Sequence, residues 1–168
     1  MHMHILIIIL IILLAWRRAD WTRFEKFHAT MVYIASMNLL YFFFTQDYPL
    51  WMFQSNIGIP EHVLDLLHTF IVLPCTVIIY LSNFPDAFIH KIIHIAKWVL
   101  IYLVCEWVGH HLGLIEYHNG WSFGWSILFL LVMFPMLKLH ENRPYIVYGL
   151  SVVVIAFLLY LFKVPWIQ

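Results

Sequence analysis

Charge is scarce in this chain. Asp, Glu, Lys and Arg make up only 11% of its 168 residues, against about 25% in soluble domains. With 64% hydrophobic residues, that shortage excludes a water-soluble fold, and the chain reads as an integral membrane protein. Neither sign of charge is in excess: nine Lys and Arg stand against nine Asp and Glu. No basic field exists for a nucleic acid to meet, so that class of partner is excluded. Cysteine is scarce as well. Cys75 and Cys105 are the only two and form no CxxC pair, which excludes a disulfide framework, a zinc knuckle and a thioredoxin-like site. No GxSxG, HExxH, P-loop or dinucleotide fingerprint occurs, so the familiar nucleophile, zincin and nucleotide chemistries lack support.

Long apolar runs fill the space that charge leaves. They lie at about 4–16, 28–44, 61–81, 88–108, 121–137 and 145–162. At about 20 residues per span, six spans use roughly 120 residues and leave room for short loops but no soluble catalytic domain. No internal repeat or low-complexity linker divides the chain, which reads as one domain over 1–168 and gives no support to a repeat-built transporter. The expected fold is an all-α integral membrane bundle of six transmembrane helices with a short first helix. That first run has the length of a signal-peptide core. However, no positive residue precedes it, no small-residue cleavage site follows it, and Arg17, Arg18, Arg23 and Lys26 come directly after. It reads as an uncleaved anchor, its shortness met by bilayer thinning. Pro60 and Glu61 suit the first turn of the third helix, after an aromatic stretch around Trp51 and Phe53 and a loop over 54–59. Pro74 and Pro135 are candidate kinks.

Loop charges give the orientation. With the N-terminus outside, the segments 17–27, 83–91 and 138–144 are cytoplasmic and carry Arg17, Arg18, Arg23, Lys26, Lys91, Lys138 and Arg143, while 45–60 and 109–120 hold no Lys or Arg. The positive-inside rule then predicts both termini outside. Trp51, Trp107, Trp121 and Trp166 fall near the outer boundary, and Trp16 and Trp21 near the inner one, as aromatic belts require.

Acids and histidines within spans mark candidate sites. Glu61, Asp65 and His68 share one face of the third helix, with His62 beside them; Glu106 and His110 lie four apart at the end of the fourth. If a short turn at 82–89 makes these helices antiparallel neighbours, Asp65 lies level with Glu106. Asp65, Glu106, His62, His68 and His110 would then converge in an outer-side pocket. Carboxylates and imidazoles at helical spacing suit a divalent metal such as Zn, Fe or Mn, a small polar ligand, or a proton relay. The same residues also suit a plain interhelical hydrogen-bond pair in a structural or partner-binding subunit, or an intramembrane enzyme with a metal or acid/base site. Besides lipid, the expected partner is a second copy or another membrane protein. His2 and His4 form a His-Met-His that can capture copper or nickel adventitiously; His90 and His94 read as an interfacial face, and Ser122 and Ser126 as packing contacts.

The stretches HILIIILIILLAWRRADW (4–21), HTFIVLPCTVIIYL (68–81), WVLIYLVCEWVGHHLGLIEYHNGW (98–121) and MLKLHENRP (136–144) resemble an uncharacterised family of small multi-pass membrane proteins of spore-forming Firmicutes. The resemblance covers nearly the whole chain and rests on aromatic and turn residues. It implies a bacterial cytoplasmic-membrane protein and transfers no functional residue.

The orientation is testable. A cysteine introduced at Glu116, in a variant lacking Cys75 and Cys105, should react with an impermeant thiol reagent in intact cells; reaction only after permeabilisation overturns the assignment.

Overall fold

The computed structural model describes residues 3–55 and 58–165. His2 of the His-Met-His, Asn56 and Ile57 of the predicted loop, and the belt residue Trp166 lie outside the described residues. The elements in chain order are α1 (Met3–Arg18), a 3₁₀ turn (Trp21–Arg23), α2 (Phe24–Thr45), β1 (Trp51–Phe53), α3 (Glu61–Leu67), a π turn (His68–Val72), α4 (Leu73–Ser82), α5 (Phe88–His111), β2 (Ile115–Tyr117), α6 (Phe123–Asn142) and α7 (Pro144–Leu161). α3, the π turn and α4 run on as one continuous span, Glu61–Ser82. The fold is an all-α bundle, with five helices among the described residues long and apolar enough to cross a membrane. α1, at 16 residues, rises about 24 Å at 1.5 Å per residue, short of the roughly 30 Å hydrocarbon core.

The third span is the centre of the bundle, with Val77, Ile78, Ile79, Tyr80 and Leu81 buried. α1 runs parallel along it, packing on the π turn and α4, and α2 packs antiparallel against the same span. At the far end Asn83 Nδ2 donates to Arg18 O at 3.1 Å and the Asp20 amide donates to Ser82 Oγ at 2.9 Å. α6 leans on α2 and carries α5 and α7 on its flanks. Helices in lipid gain nothing from hiding apolar surface from one another, so polar ties and close packing hold them. Thr30 meets His140 at 2.9 Å, Tyr33 meets Ser151 at 2.8 Å, and the Tyr80 hydroxyl donates to Phe134 O at 3.0 Å.

The π turn has a local cause. Pro74 has no N–H to give, and its ring crowds the carbonyl four residues back. The helix widens there, and the Leu73 N–H reaches five residues back to His68 O. Pro135, by contrast, sits inside an unbroken α6.

Two features depart from the sequence reading. The aromatic stretch around Trp51 and the loop after the fourth span pair as an antiparallel two-stranded ribbon, with Trp51 opposite Tyr117 and Phe53 opposite Ile115. Directly opposed residues share a face, so these four point one way and Met52 and Glu116 the other. Gly113 makes the ribbon reachable: at φ +67° it ends α5 with Leu114 N–H bonded to Gly109 O at 2.8 Å and its own N–H to His110 O at 3.1 Å, a Schellman turn that a β-carbon would strain. Second, α4 and α5 touch through side chains, Thr76 with Tyr102 at 2.7 Å and His94 with Tyr80 O at 3.1 Å, in a register displaced from the one that levels Asp65 with Glu106. α5 packs on α6 and β2 instead.

Positive charge gathers at the end opposite the ribbon. There Glu141, with its side chain 1% exposed, pairs with Lys26 at 2.7 Å and Lys138 at 2.5 Å, tying α2 to α6. Removing one member of a buried ion group costs about 3–5 kcal/mol, and the partial exposure of both lysines lowers that to about 1–2 kcal/mol. Glu141→Gln should therefore lower the thermal midpoint in detergent, whereas Glu116→Gln, on the outward face of the ribbon, should leave it unmoved.

Candidate functional site

Beneath the ribbon lies a partly open cavity of about 460 Å³, walled by side chains of α1, α2, the third span, α5, α6 and α7. Most of the wall is aliphatic or aromatic. Ile7 and Leu10 of α1, Met37 of α2, Val72 of the third span, Ile101 of α5 and Ile155 of α7 represent it. The volume falls within the usual range of small-molecule pockets.

Two polar clusters meet the cavity, each anchored to one strand. On the β1 side, the buried His4 ring places Nε2 3.2 Å from Gln54 O and Nδ1 3.4 Å from His68 Nε2. The His68 ring packs on Phe53, with centroids 4.2 Å apart. Next to it, Asn38 Nδ2 donates to Thr69 Oγ1 at 2.7 Å, which donates in turn to Asp65 O at 2.7 Å. On the β2 side, Glu106 Oε1 accepts from the Tyr117 hydroxyl at 2.7 Å and from Ser126 Oγ, and Ser126 accepts from Trp121 Nε1 at 3.0 Å. His110 stacks on Tyr117 at 4.5 Å and donates from Nδ1 to Ile115 O at 3.0 Å. Tyr41 ties the structure beneath β1: its hydroxyl donates to Trp51 O at 2.7 Å and accepts from the Trp51 and Leu50 amides.

The five residues singled out by sequence are thus distributed rather than convergent. His68 and Glu106 both line the cavity. His110 stands behind Tyr117 and buttresses the Glu106 cluster. Asp65 and His62 line a separate open cleft with Glu61, Ser55 and Gly58, so the pocket expected to join Asp65 to Glu106 between adjacent helices is replaced by two. The physical reason is the displaced register and the ribbon, which separates the ends of the third span and α5. Asp65 Oδ1 is buried there without a hydrogen-bond partner among the described residues. Among the described residues, no group of three or more His, Cys, Asp or Glu is placed to hold a metal ion.

The participants not assigned to the site from sequence include His4, Asn38, Thr69, Tyr117, Ser126 and Trp121. His4 opens the first apolar run and carries the same signal as His68, an imidazole in an apolar segment. The Ile115-Glu116-Tyr117 alternation is the signature of a half-buried strand, at a length too short to stand out. Ser126 looks like any small residue on a helix until its partner is visible. Comparison with protein-family models, with curated proteins and with solved structures returns no match for the chain.

Burial, and then the adjoining Glu106 carboxylate, push the Tyr117 phenol up from its ordinary value. A raised phenol favours the protonated form in the folded state, so its contribution is complete below the unfolded value near pH 10 and is lost as pH rises beyond it. The thermal midpoint of the wild type should fall more steeply above about pH 10 than that of Tyr117→Phe, which lacks the titrating group; equal slopes would remove Tyr117 from this role.

Proposed function

We propose that the protein is a membrane-embedded binding protein that takes one single-chain amphiphile into the central cavity, with its apolar chain among the helices and its head beneath the ribbon. The carrying observation is the composition of the cavity wall: an apolar chamber of about 460 Å³ whose His4–His68 and Glu106 clusters are both tied to the ribbon strands. Size supports the reading. A chamber of about 460 Å³ has the volume of a small-molecule pocket, and apolar space left unfilled is unfavourable. Lipid is the surrounding medium, and an apolar chain is the cheapest filler it offers.

In this reading the ribbon end faces the outside of a bacterial cytoplasmic membrane, an orientation supported by the lack of Lys and Arg in 45–60 and 109–120. The polar-ligand idea is kept in altered form, with an amphiphile in place of a compact polar molecule and no part for a metal.

Trp51, Trp98 and Trp121 line the chamber and report on its contents. In nanodiscs of neutral phospholipid, brominated dodecanol should quench tryptophan fluorescence saturably. Val72→Phe combined with Ile101→Phe, which fills the chamber, should weaken that binding about tenfold or more, while Val152→Phe on the lipid-facing side of α7 should not. Non-saturable quenching that ignores the chamber substitutions overturns the proposal and favours the structural-subunit reading.

A further inference from the structure

The polar groups on the chamber wall are arranged so that their spare valences can be assigned. His4 Nε2 faces a carbonyl oxygen, Gln54 O, so that nitrogen carries the proton. In a neutral imidazole the other nitrogen is then a lone pair, which leaves His68 Nε2 as the donor across the 3.4 Å contact to His4 Nδ1. His68 Nδ1 is therefore an acceptor, and it has no hydrogen bond among the described residues. The same logic orients Asn38. Thr69 Oγ1 spends its proton on Asp65 O, so Asn38 presents its amide nitrogen to Thr69 and keeps Oδ1 free. Glu106 uses Oε1 for both Tyr117 and Ser126, and its Oε2 has no partner among the described residues.

From this we infer that the chamber selects a head group that donates hydrogen bonds, a hydroxyl or an amine, and rejects carboxylate and phosphate heads. The inference rests on the amphiphile-binding reading and specifies its ligand class. Three wall groups offer acceptors: His68 Nδ1, Asn38 Oδ1 and Glu106 Oε2. Among the described residues, the donors left free on the wall are the second N–H of Asn38 Nδ2, the indole N–H groups of Trp51 and Trp98, one hydroxyl proton of the Thr76–Tyr102 pair and the Cys105 thiol, all uncharged. No Lys or Arg among the described residues lines the chamber. An anionic head would lose its water, meet no cation and face Glu106 in an apolar medium, which is the costliest arrangement available there. A hydroxyl can donate to His68, Asn38 or Glu106 and accept from an indole. An ammonium can donate to the same three acceptors.

The test compares three brominated probes with the same chain, dodecanol, dodecylamine and dodecanoate, by saturable tryptophan quenching in neutral-lipid nanodiscs at neutral pH. The alcohol and the amine should bind at least about tenfold more tightly than the acid. In Glu106→Gln, dodecanoate should gain and dodecylamine should lose, narrowing their separation to about threefold, while Glu116→Gln should leave the order unchanged. Dodecanoate binding as tightly as dodecanol overturns the head-group inference and leaves the chamber reading standing. Absence of saturable quenching by all three overturns the chamber reading itself. An unchanged amine-to-acid ratio in Glu106→Gln removes Glu106 from the selection, and the wild-type comparison decides the head class even if that variant fails to fold.

Discussion

The pairing of Trp51–Phe53 with Ile115–Tyr117 is the constraint around which the rest of this bundle is arranged. It joins two loops separated by two helical spans in the chain, and its inward face carries Trp51, Phe53, Ile115 and Tyr117. Phe53 packs on His68, Tyr117 holds Glu106, and Trp51 stacks on Tyr41 at 5.3 Å. A two-stranded ribbon is marginal alone. Here it is supported from below by the Tyr41 hydroxyl and at its edge by Gln54 N–H on Leu114 O and His118 N–H on Leu50 O.

Because the ribbon holds the loops, the helices below need not be tightly packed. α5 and α7 are attached mainly through α6, and the space between them and the third span becomes the chamber. The pairs that cross it, Thr76 with Tyr102 and Tyr33 with Ser151, satisfy polar groups where no water is at hand to do so. α5 comes close to the ribbon at Gly109, where a β-carbon would lie 2.9 Å from Cδ1 of Ile115, the tip of a side chain that can turn aside. The opposite end is built differently, from charge rather than from strands, with Glu141 between two lysines.

Much of the architecture was legible in the chain. The apolar runs at 28–44, 61–81, 88–108, 121–137 and 145–162 become helices at 24–45, 61–82, 88–111, 123–142 and 144–161, because a segment that must satisfy its own backbone bonds in lipid has little choice but to be helical. The run at 4–16 becomes α1 over 3–18. His68 and Glu106 were legible as candidates because an ionisable group in an apolar span is expensive and therefore rare. Their partners were not. Nothing in local periodicity says that a tyrosine eleven residues past Glu106 will return to it.

The sequence by itself determined the membrane medium, the helices and the end of the bundle that carries the positive charge, since each follows from local hydropathy and local charge. Tertiary structure alone decided which helices are neighbours. It parted Asp65 from Glu106 and brought His4 to His68 across 64 positions. The reason is that depth along a helix is set by counting residues, whereas azimuth and neighbour choice are set by long-range contacts. The ribbon is one of these, and three-residue strands leave almost no trace in the chain from which to foresee them.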